Sequence, residues 1–407
     1  MAPASEAEST ASTVAIIGAE PVGLYTALYL AKAGIDVTVF EKLEEPLKSP
    51  RAMAYFPVVL EDFKKAGIFE DVLKAGYVNT TGVAWRKPGG EILARIPGHP
   101  DHPAVQIGQD EVADIILSHL KRYPNATVRF QHCLKELHQD SNGVRLCLDV
   151  AGTAVRHSAL FLVGADGGKS MVRHLIDVQL EGFTWNDYDI VAANIDYDIE
   201  GKEGWLSANF VVDPRYWVAR VGQGSVWRVA SGEPVDPTQS DRDRQWDEEK
   251  GIRQLRERLR NILPGPIEEA PVLSISPYRT HQRCASTFLV GRVVLAGDAA
   301  HLTNPTGGLG LTTGFLDAAA LGRVLIQIIN EQKPVSLLER YATERLDVFL
   351  WYTNRIATQN RKRLLSTEPV DVQERELFFE RINSGDISFL MDRAKEELCI
   401  STTRELK

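Results

Sequence analysis

The start of the chain alternates short apolar runs with one stretch of helical periodicity. Residues 13–17 form a compact apolar run that ends at a glycine, as a buried parallel strand does. Residues 21–33 then carry apolar side chains at helical spacing, and residues 36–40 supply a second apolar run. This pattern predicts one βαβ unit, preceded by a loose polar tip over residues 1–13.

Similar elements continue along the next part of the chain. The patterns predict helices over residues 58–66 and 109–120, a polar hairpin over 83–96, and strands at 128–130 and 160–163. Alternating polar and apolar side chains between residues 133 and 158 predict a small antiparallel meander. This part of the chain is therefore expected to mix parallel and antiparallel strands.

Strand patterns dominate residues 175–277. The aromatic side chains concentrated in this region are Trp205, Phe210, Tyr216, Trp217 and Trp227. A charged stretch at residues 241–262 predicts a helix that lies across these strands. From residue 293 the chain returns to an apolar strand, a glycine-rich loop and a helix, and beyond residue 334 helical patterns with dense charge continue to the end.

These changes predict an α/β fold with an α+β second lobe. Residues 1–75, 98–174 and 283–330 are expected to form a discontinuous, Rossmann-like βαβ domain. Residues 76–97 and 175–282 are expected to form a second domain on an antiparallel sheet. Residues 331–407 are expected to form a helical C-terminal segment that braces the outside.

Composition narrows the possible functions. The chain has 407 residues, enough for two or three lobes. Its net charge of −9 argues against nucleic acid as a partner, because phosphate binding needs a basic face. The four cysteines show no metal-ligand spacing, so we predict no metal site and free thiols in a reducing compartment. We see no signal peptide and no apolar stretch long enough to span a bilayer, and we expect a cytoplasmic protein.

A glycine-rich turn stands between the first predicted strand and the first helix. Gly18 and Gly23 occupy the outer glycine positions of a dinucleotide-binding fingerprint, and Glu41 follows roughly twenty residues later, where a carboxylate can bind ribose hydroxyls. Glu20 stands where a glycine normally lets the backbone approach a diphosphate. If this side chain turns outward the cost is small, and if it turns inward cofactor affinity falls. A plain βαβ turn is the structural alternative.

A second glycine-rich stretch, residues 162–173, runs from a strand into a helix. Asp166 lies at the carboxyl end of that strand, where ligands gather in open α/β sheets, and Arg173 lies on the helix. The structural alternative is that Asp166 caps the helix that follows it.

A third stretch, residues 292–311, joins a buried strand to a glycine-rich loop and a helix. Asp298 emerges from the strand and can bind ribityl hydroxyls. The loop from Pro305 to Gly310 offers amides that can surround a flavin ring and a phosphate. A glycine hinge before a helix is the structural alternative. For His301, a structural hydrogen bond is favoured over a role as a base.

In their order and spacing the three motifs resemble those of the single-component FAD-dependent aromatic hydroxylases, the para-hydroxybenzoate hydroxylase family of flavoprotein monooxygenases. The likeness covers residues 14–341. It implies that the Rossmann-like domain binds FAD, that NADPH or NADH is a transient reductant, and that the antiparallel domain binds substrate. Leu309 and Thr312 depart from the family, which often has Gln and Asn there, so side-chain contacts to the ring are not expected at these positions.

The resemblance also assigns roles to individual positions. Glu41 would contact the adenosine ribose, Asp298 the ribityl chain, and Gln109 the FAD. Arg51 lies where the family places an arginine near the cofactor and the reducing nicotinamide. The expected cofactor-binding residues are Gly18, Glu20, Gly23, Glu41, Lys42, Arg51, Gln109, Asp166, Arg173, Asp298, Pro305, Gly308, Leu309, Gly310 and Leu311.

The reaction implied by the resemblance uses NAD(P)H and O2 to hydroxylate or epoxidise an aromatic or multi-ring small molecule through a flavin hydroperoxide, with natural-product biosynthesis as one expected role. Asn194, Tyr216 and Arg228 are the candidate catalytic residues and substrate contacts, because each lies among alternating apolar strand residues. Core packing is the favoured alternative for the aromatic residues. Another flavin-dependent oxidoreductase reaction and a non-catalytic flavin-binding protein stay open, and the oligomeric state is not predicted.

Overall fold

Two large sheets organise the chain, and helices cover both of them. The structure is a computed structural model that describes residues 10–49, 51–99, 101, 103–212, 216–235, 246–263 and 265–387. The helices are α1 (Pro21–Lys32), α2 (Pro57–Ala66), α3 (Phe69–Ala75), α4 (Gln109–Leu120), α5 (Met171–Leu175), α6 (Ile199–Glu203), α7 (Glu248–Arg260), α8 (Leu309–Asn330), α9 (Leu337–Val348), α10 (Asn354–Leu365) and α11 (Pro369–Asn383).

The strands are mostly short. They are β1 (Thr10–Ile17), β2 (Val37–Phe40), β3 (Ala54–Tyr55), β4 (Tyr77–Asn79), β5 (Val83–Arg86), β6 (Ile92–Ile96), β7 (Ala104–Gln106), β8 (Ala126–Arg129), β9 (Cys133–Asp140), β10 (Gly143–Val150), β11 (Thr153–Gly164), β12 (Leu180–Thr184), β13 (Tyr188–Asp196), β14 (Ala208–Val211), β15 (Tyr216–Arg220), β16 (Val226–Pro234), β17 (Val272–Tyr278), β18 (His281–Ala285), β19 (Leu289–Val290), β20 (Val293–Leu295) and β21 (His301–Leu302).

The first large sheet places three strands from distant parts of the chain side by side. Its main order is β19-β20-β11-β1-β2-β8, and β10 and β9 extend it beyond β11. β1 pairs in parallel with β2 and β11, and β11 pairs in parallel with β20. Ile17, Gly164 and Leu295 are neighbours at the carboxyl ends of these strands. The turns that follow them therefore open at one edge of the sheet.

Helices α1 and α8 form the packed layer behind this sheet. The strand residues Val14, Ala15 and Ile16 are fully buried, which explains the unbroken apolar run of β1. By length and composition α8 is, within the described ranges, the one helix that could cross a membrane, although 78% of its most apolar window is buried inside the protein. Such burial is typical of the central helix of a globular domain.

The second large sheet has the order β17-β13-β16-β15-β14-β5-β6. Its pairs are antiparallel except for β14 with β5. One face buries Trp227 against α7, which contributes Leu255 and Leu259 from every fourth position. The opposite face carries Ala192, Ala230 and Trp217. Adjacent residues on a strand point to opposite faces, so the aromatic residues of this region divide into core and cavity sets.

These observations confirm the predicted α/β fold with an antiparallel sheet and a helical C-terminal segment. The predicted hairpin at residues 83–96 is present as β5 and β6 and belongs to the second sheet. Two small sheets, β3-β7-β4 and β12-β18-β21, were not expected. The second of them contains β18, which the predicted boundary between residues 282 and 283 divides.

Several element boundaries differ from the sequence pattern for identifiable reasons. β1 begins at Thr10 rather than residue 13, because the hydroxyls of Thr10 and Ser12 lie 2.8 Å from the two ring nitrogens of His157 on β11. The strands predicted at 154–158 and 160–163 are one long strand, since β10 and β1 flank it on either side. The predicted 241–262 helix begins at Glu248, where the Asp247 side chain caps it, and residues 241–245 lie outside the described part.

The C-terminal helices correct a further expectation. α10 and α11 do not merely brace the outside, because they contribute Asn360, Arg363, Leu364 and Phe378 to the wall of the central cavity. Their charged pattern gave no sign of this, since only a few side chains on each helix face inward. Residues 388–407, also expected to be helical, lie outside the described residues.

Exchanging Trp227 for alanine is expected to lower the free energy of unfolding by about 3–5 kcal/mol, because it leaves a hole in the core beneath α7. Trp217→Ala is the matched control on the neighbouring strand, since Trp217 is half-buried and lines the cavity. Thermal unfolding followed by circular dichroism compares the two variants, and the loss of Tm is expected to be much larger for Trp227→Ala. Equal losses would contradict this assignment of the two sheet faces.

Candidate functional site

A cavity of about 1950 Å³ extends between the two large sheets. Its lining includes the turns that follow β1, β11 and β20, the loop before α8, and the open face of the second sheet. Sites for one drug-sized ligand usually measure roughly 300–1000 Å³. The cavity therefore has room for a dinucleotide and a small molecule together.

The turn after β1 is shaped by close backbone contacts. Gly18 has φ +110°, and a Cβ at this position would lie 2.3 Å from the carbonyl oxygen of Ala165. A Cβ on Gly23 would lie 2.0 Å from the carbonyl oxygen of Gly18, so helix α1 packs directly on the turn. Pro21 opens α1 beside the cavity. The first amides of a helix have no partner within it, so this end favours an anionic ligand.

Glu41 fastens this turn to the next strand. Its carboxylate accepts hydrogen bonds from the Ala19 amide at 2.9 Å and from the Leu43 amide at 3.0 Å. It is buried and lines the cavity beside Lys42. Each carboxylate oxygen can accept more than one hydrogen bond, so ribose hydroxyls can still bind there.

In the second motif, Asp166 caps a helix. Its carboxylate accepts hydrogen bonds from the Ser170 hydroxyl at 2.5 Å and from the amides of Met171 and Val172 at 2.6 and 3.1 Å. This is the structural alternative considered for the motif, although Asp166 also lines the cavity. Burial raises the pKa of this carboxyl, and the hydrogen bonds partly offset that rise.

Arg173 joins the second motif to the third. Its guanidinium donates hydrogen bonds to the carbonyl oxygens of Gly168 and Ala299, both at 2.8 Å. The side chain thus bridges two turns that lie about 130 residues apart in sequence, and it also lines the cavity. We infer that it fixes the spacing between these turns.

The third motif presents an unpaired carboxylate to the cavity. The Asp298 side chain is exposed to the cavity, yet protein surrounds it, and this enclosure raises its pKa, while His301 and Arg51 lower it. No group in the described part of the chain donates a hydrogen bond to its carboxylate. An enclosed carboxylate normally has donors, and a chain of hydroxyl groups would supply them. The residues present therefore fit the ribityl part of FAD.

A buried ionic cluster, absent from the sequence-based expectations, holds the third motif from beneath. Asp317 on α8 accepts hydrogen bonds from the Gly297 amide at 3.1 Å, His301 Nε2 at 2.7 Å and Arg345 Nε at 2.6 Å. Burial alone would raise the pKa of Asp317, but Arg345 and His301 hold it below its ordinary value. His301 thus makes the structural hydrogen bond that the sequence analysis favoured over a role as a base, and its ring stacks on Phe349. The sequence did hold one signal for this cluster, because Asp317 is the one acidic residue in the apolar stretch of α8.

The loop before α8 brings backbone amides to the cavity. Pro305, Gly308, Gly310 and Leu311 line it. Gly308 has φ +63°, and a Cβ there would lie 3.2 Å from the Phe56 ring. The amides in the first turn of α8 have no helical acceptors, so they are suited to a flavin ring or phosphate.

The two departures from the family in this region have structural roles. Leu309 is buried and does not line the cavity. The Thr312 hydroxyl donates to the Gly308 carbonyl oxygen at 3.0 Å, within its own helix. Neither side chain is therefore available to the ring, as expected.

The open face of the second sheet carries a buried cation. Arg228 is 4% exposed, and its Nη1 donates to Asn194 Oδ1 at 3.1 Å. Its Nε has no hydrogen-bond partner within the described ranges, and burial lowers its pKa. The neighbouring positions across the sheet are small, with Ala219 on β15 and Ala208 on β14. The guanidinium therefore faces open space in the cavity.

The other two candidate substrate contacts lie differently. Asn194 does not line the cavity, but its side chain holds Arg228 and donates to Ser274 Oγ at 2.9 Å. Tyr216 begins β15 and pairs with Ser231, and its side chain lies outside what the structure describes. Asn194 is thus placed to orient Arg228.

Aromatic side chains and the C-terminal helices enclose the space around Arg228. Trp85 stacks on Phe210 with ring centroids 5.8 Å apart, and Phe378 meets the edge of Trp85 at 5.4 Å. Burial raises the pKa of Tyr278 to about 12, and its ring lines the cavity. Arg363 lies 3.7 Å over the Phe378 ring, and burial lowers its pKa to about 10. The part of the cavity around Arg228, called the chamber below, therefore has largely aromatic walls, and Arg363 brings a further guanidinium to it.

Most of the predicted site residues meet in this cavity. Those that line it are Gly18, Glu20, Glu41, Lys42, Arg51, Gln109, Asp166, Arg173, Arg228, Asp298, Pro305, Gly308, Gly310 and Leu311. Gly23, Leu309 and Asn194 are packed behind its wall. The position of Gly23 agrees with the role of the last fingerprint glycine, at which helix and strand pack closely. No sequence signal placed Leu309 and Asn194 behind the wall, because packing against distant parts of the chain decides which side of the wall a residue occupies.

The chain is similar to proteins of known function over most of its length. A family model described as an FAD binding domain matches residues 11–354. Para-nitrophenol 4-monooxygenase of Pseudomonas sp. (strain WBC-3) is 38% identical over 370 residues, 88% of this chain and 89% of the relative. 6-hydroxy-3-succinoylpyridine 3-monooxygenase HspB of Pseudomonas putida (strain DSM 28022 / S16) is 35% identical over 404 residues, 96% and 98% of the two chains.

Solved structures agree with these similarities. The crystal structure of p-nitrophenol 4-monooxygenase PnpA from Pseudomonas putida DLL-E4 superposes with a TM-score of 0.86 at 34% identity, and the match covers 96% of this chain and 98% of that one. A ternary complex of aklavinone-11 hydroxylase with FAD and aklavinone has the same fold, with a TM-score of 0.78 at 23% identity, covering 91% and 71%. The family match therefore identifies FAD as the cofactor of this chain.

Asp298→Ala is expected to weaken FAD binding by about tenfold or more, because a hydrogen bond to a charged group is worth about 1.5–3 kcal/mol. Asp166→Ala is the contrasting variant, because it removes the acceptor that caps α5. It is expected to lower Tm and to weaken FAD binding less than Asp298→Ala does. Titration of the apoprotein with FAD, followed by flavin fluorescence, measures the affinities, and thermal unfolding measures Tm. A larger loss of affinity in Asp166→Ala than in Asp298→Ala, with unchanged Tm, would contradict these assignments.

Proposed function

The chain belongs to the FAD-binding family of flavin-dependent aromatic monooxygenases, and from this premise we propose that its substrate is a small phenol bound as an anion. Family membership establishes FAD as the cofactor and monooxygenation of an aromatic compound as the reaction.

The buried Arg228 guanidinium carries this proposal. It faces the chamber with Asn194 as its one hydrogen-bonded partner within the described residues, and no described carboxylate pairs with it. Burial lowers the pKa of Arg228, and the charge of Asp110 offsets this only in part without forming an ion pair with it. An anionic oxygen of the substrate would therefore stabilise the buried guanidinium further. A nearby cation also favours the phenolate over the phenol, which enriches the ring in electrons for attack on oxygen.

The chamber supports a substituted single ring. Trp85, Phe210 and Trp217 offer flat apolar surfaces, and Arg363 adds a second guanidinium that suits a nitro or carboxylate substituent. Two relatives above 30% identity carry names of single-ring compounds, which supports the same size class. A role in natural-product biosynthesis and a cytoplasmic location stay predictions from the sequence.

The protein's own part in the reaction is to bind, orient and exclude water. Bound FAD supplies the redox chemistry, in which NADPH or NADH provides two electrons, one atom of O2 enters the ring and the other leaves as water. The Asp298 carboxylate and the first amides of α8 would hold the cofactor, and Arg228 would hold the phenolate oxygen. Trp85, Phe210 and the C-terminal helices keep the chamber apolar, which limits unproductive loss of reduced oxygen.

The proposal is tested with the FAD-loaded chain, NADPH or NADH, and para-nitrophenol as the first substrate. Consumption of ¹⁸O2 is measured, and mass spectrometry determines the ¹⁸O content of the product from the same reaction. We expect one labelled oxygen atom in the ring product for each molecule of NAD(P)H consumed. Oxygen uptake that ends entirely in hydrogen peroxide, both with para-nitrophenol and with other phenols that carry a nitro or carboxylate substituent, would overturn the proposed substrate class.

Arg228→Gln is expected to raise KM for the phenol by about 10-fold to 100-fold, because one charge-assisted hydrogen bond is worth about 1.5–3 kcal/mol. The pH at which kcat/KM rises is expected to move upward, since the phenolate loses its stabilising cation. Arg256→Gln, which removes an exposed charge from α7, is the matched control. Steady-state kinetics between pH 6 and 9 measure both effects, and an unchanged KM with an unchanged pH profile would rule out this role.

A further inference from the structure

Glu20 is the residue that breaks the dinucleotide fingerprint, and the structure resolves which way its side chain turns. Glu20 has an extended backbone at the start of α1, and its side chain does not cap that helix. Instead Oε1 accepts a hydrogen bond from the Leu47 amide at 3.2 Å, and Oε2 accepts one from Gln109 Nε2 at 3.4 Å. The carboxylate therefore lies along the cavity wall and leaves the helix amides uncovered.

These two hydrogen bonds connect Glu20 to the start of α4 and to the loop of residues 43–53 that lies beside it. Gln109 also accepts from the Ala52 amide at 3.3 Å, and Lys48 forms a 2.6 Å ion pair with Asp114 on α4. Leu47 and Ala52 both line the cavity next to the turn after β1. Glu20 thus helps to hold the loop of residues 43–53 in place. This loop lies beside the start of α1, the helix end that favours an anionic ligand.

The charges around Glu20 make its own charge unfavourable. The groups that face it are Glu41 at the end of β2, Asp110 on α4 and Arg51 in the loop, which amounts to two carboxylates against one guanidinium. Burial, with the repulsion of Glu41 and Asp110, raises the pKa of Glu20, and the Leu47 amide and Arg51 offset this in part. A diphosphate at the adjacent helix end would add further negative charge and would raise this pKa again.

We propose that Glu20 makes FAD binding depend on pH, because its carboxylate fastens the 43–53 loop in either protonation state but repels the FAD diphosphate when ionised. The pKa of Glu20 is higher in the FAD complex than in the apoprotein. FAD affinity is therefore greatest below the apoprotein pKa, falls as pH rises between the two pKa values, and is lowest above the pKa of the complex. This inference concerns the cofactor alone and does not rest on the proposed substrate.

The test is FAD titration of the apoprotein between pH 5.5 and 8.5, followed by flavin fluorescence. In Glu20→Gln the side-chain oxygen can still accept from the Leu47 amide, but the charge is gone. We expect Glu20→Gln to bind FAD about tenfold more tightly than the natural chain at pH 8.5, and we expect this advantage to shrink as the pH falls toward 5.5. Glu45→Gln removes an exposed charge from the same loop and is the matched control, with the pH profile of the natural chain.

Two further measurements keep the outcome decisive. Glu20→Gly restores the usual fingerprint residue and is expected to show the same weak pH dependence as Glu20→Gln. It is also expected to speed hydrogen exchange at the Leu47 amide, which loses its acceptor, whereas Glu20→Gln is not. If both Glu20 variants keep the natural pH profile of FAD affinity, or if Glu45→Gln abolishes it equally, the proposal is overturned.

Discussion

The parallel hydrogen-bond ladder that joins β1, β11 and β20 is the interaction on which the rest of the site depends. Parallel strands end at the same edge of a sheet, so the turns after Ile17, Gly164 and Leu295 open side by side, although they come from widely separated parts of the chain. Gly18 sits against the Ala165 carbonyl so closely that no side chain fits. The cofactor groove is thus a direct consequence of strand pairing and of the missing Cβ at this point.

Polar side chains then fix the spacing between these turns. Arg173 bridges the second turn to the third, and Asp317 gathers the Gly297 amide, His301 and Arg345 beneath the third. Removing one member of such a buried ionic cluster leaves an uncompensated charge, which is strongly destabilising, so the cluster stabilises the position of the third turn. Asp298 is left as the carboxylate that faces the cavity without a described donor.

The sequence predicted the fold class and the three turns because glycine spacing and apolar strand runs are local signals. Sequence alone did not distinguish functional from structural roles at Asp166. Three hydrogen bonds show that its carboxylate caps α5, and because it also lines the cavity, its contact with the cofactor stays a prediction. The Asp317 cluster and the inward-facing Arg363 were missed, because they depend on how distant helices pack. Arg228 was found by its unusual place in an apolar strand, and its partner Asn194 by the same signal.

The most direct test of the whole account is a crystal structure of the chain grown with FAD. We expect the diphosphate beside Gly18 and the start of α1, the ribityl hydroxyls on Asp298, and the flavin ring at the first amides of α8, with open space between the ring and Arg228. A flavin bound away from these three turns, or with its ribityl chain out of reach of Asp298, would contradict the account.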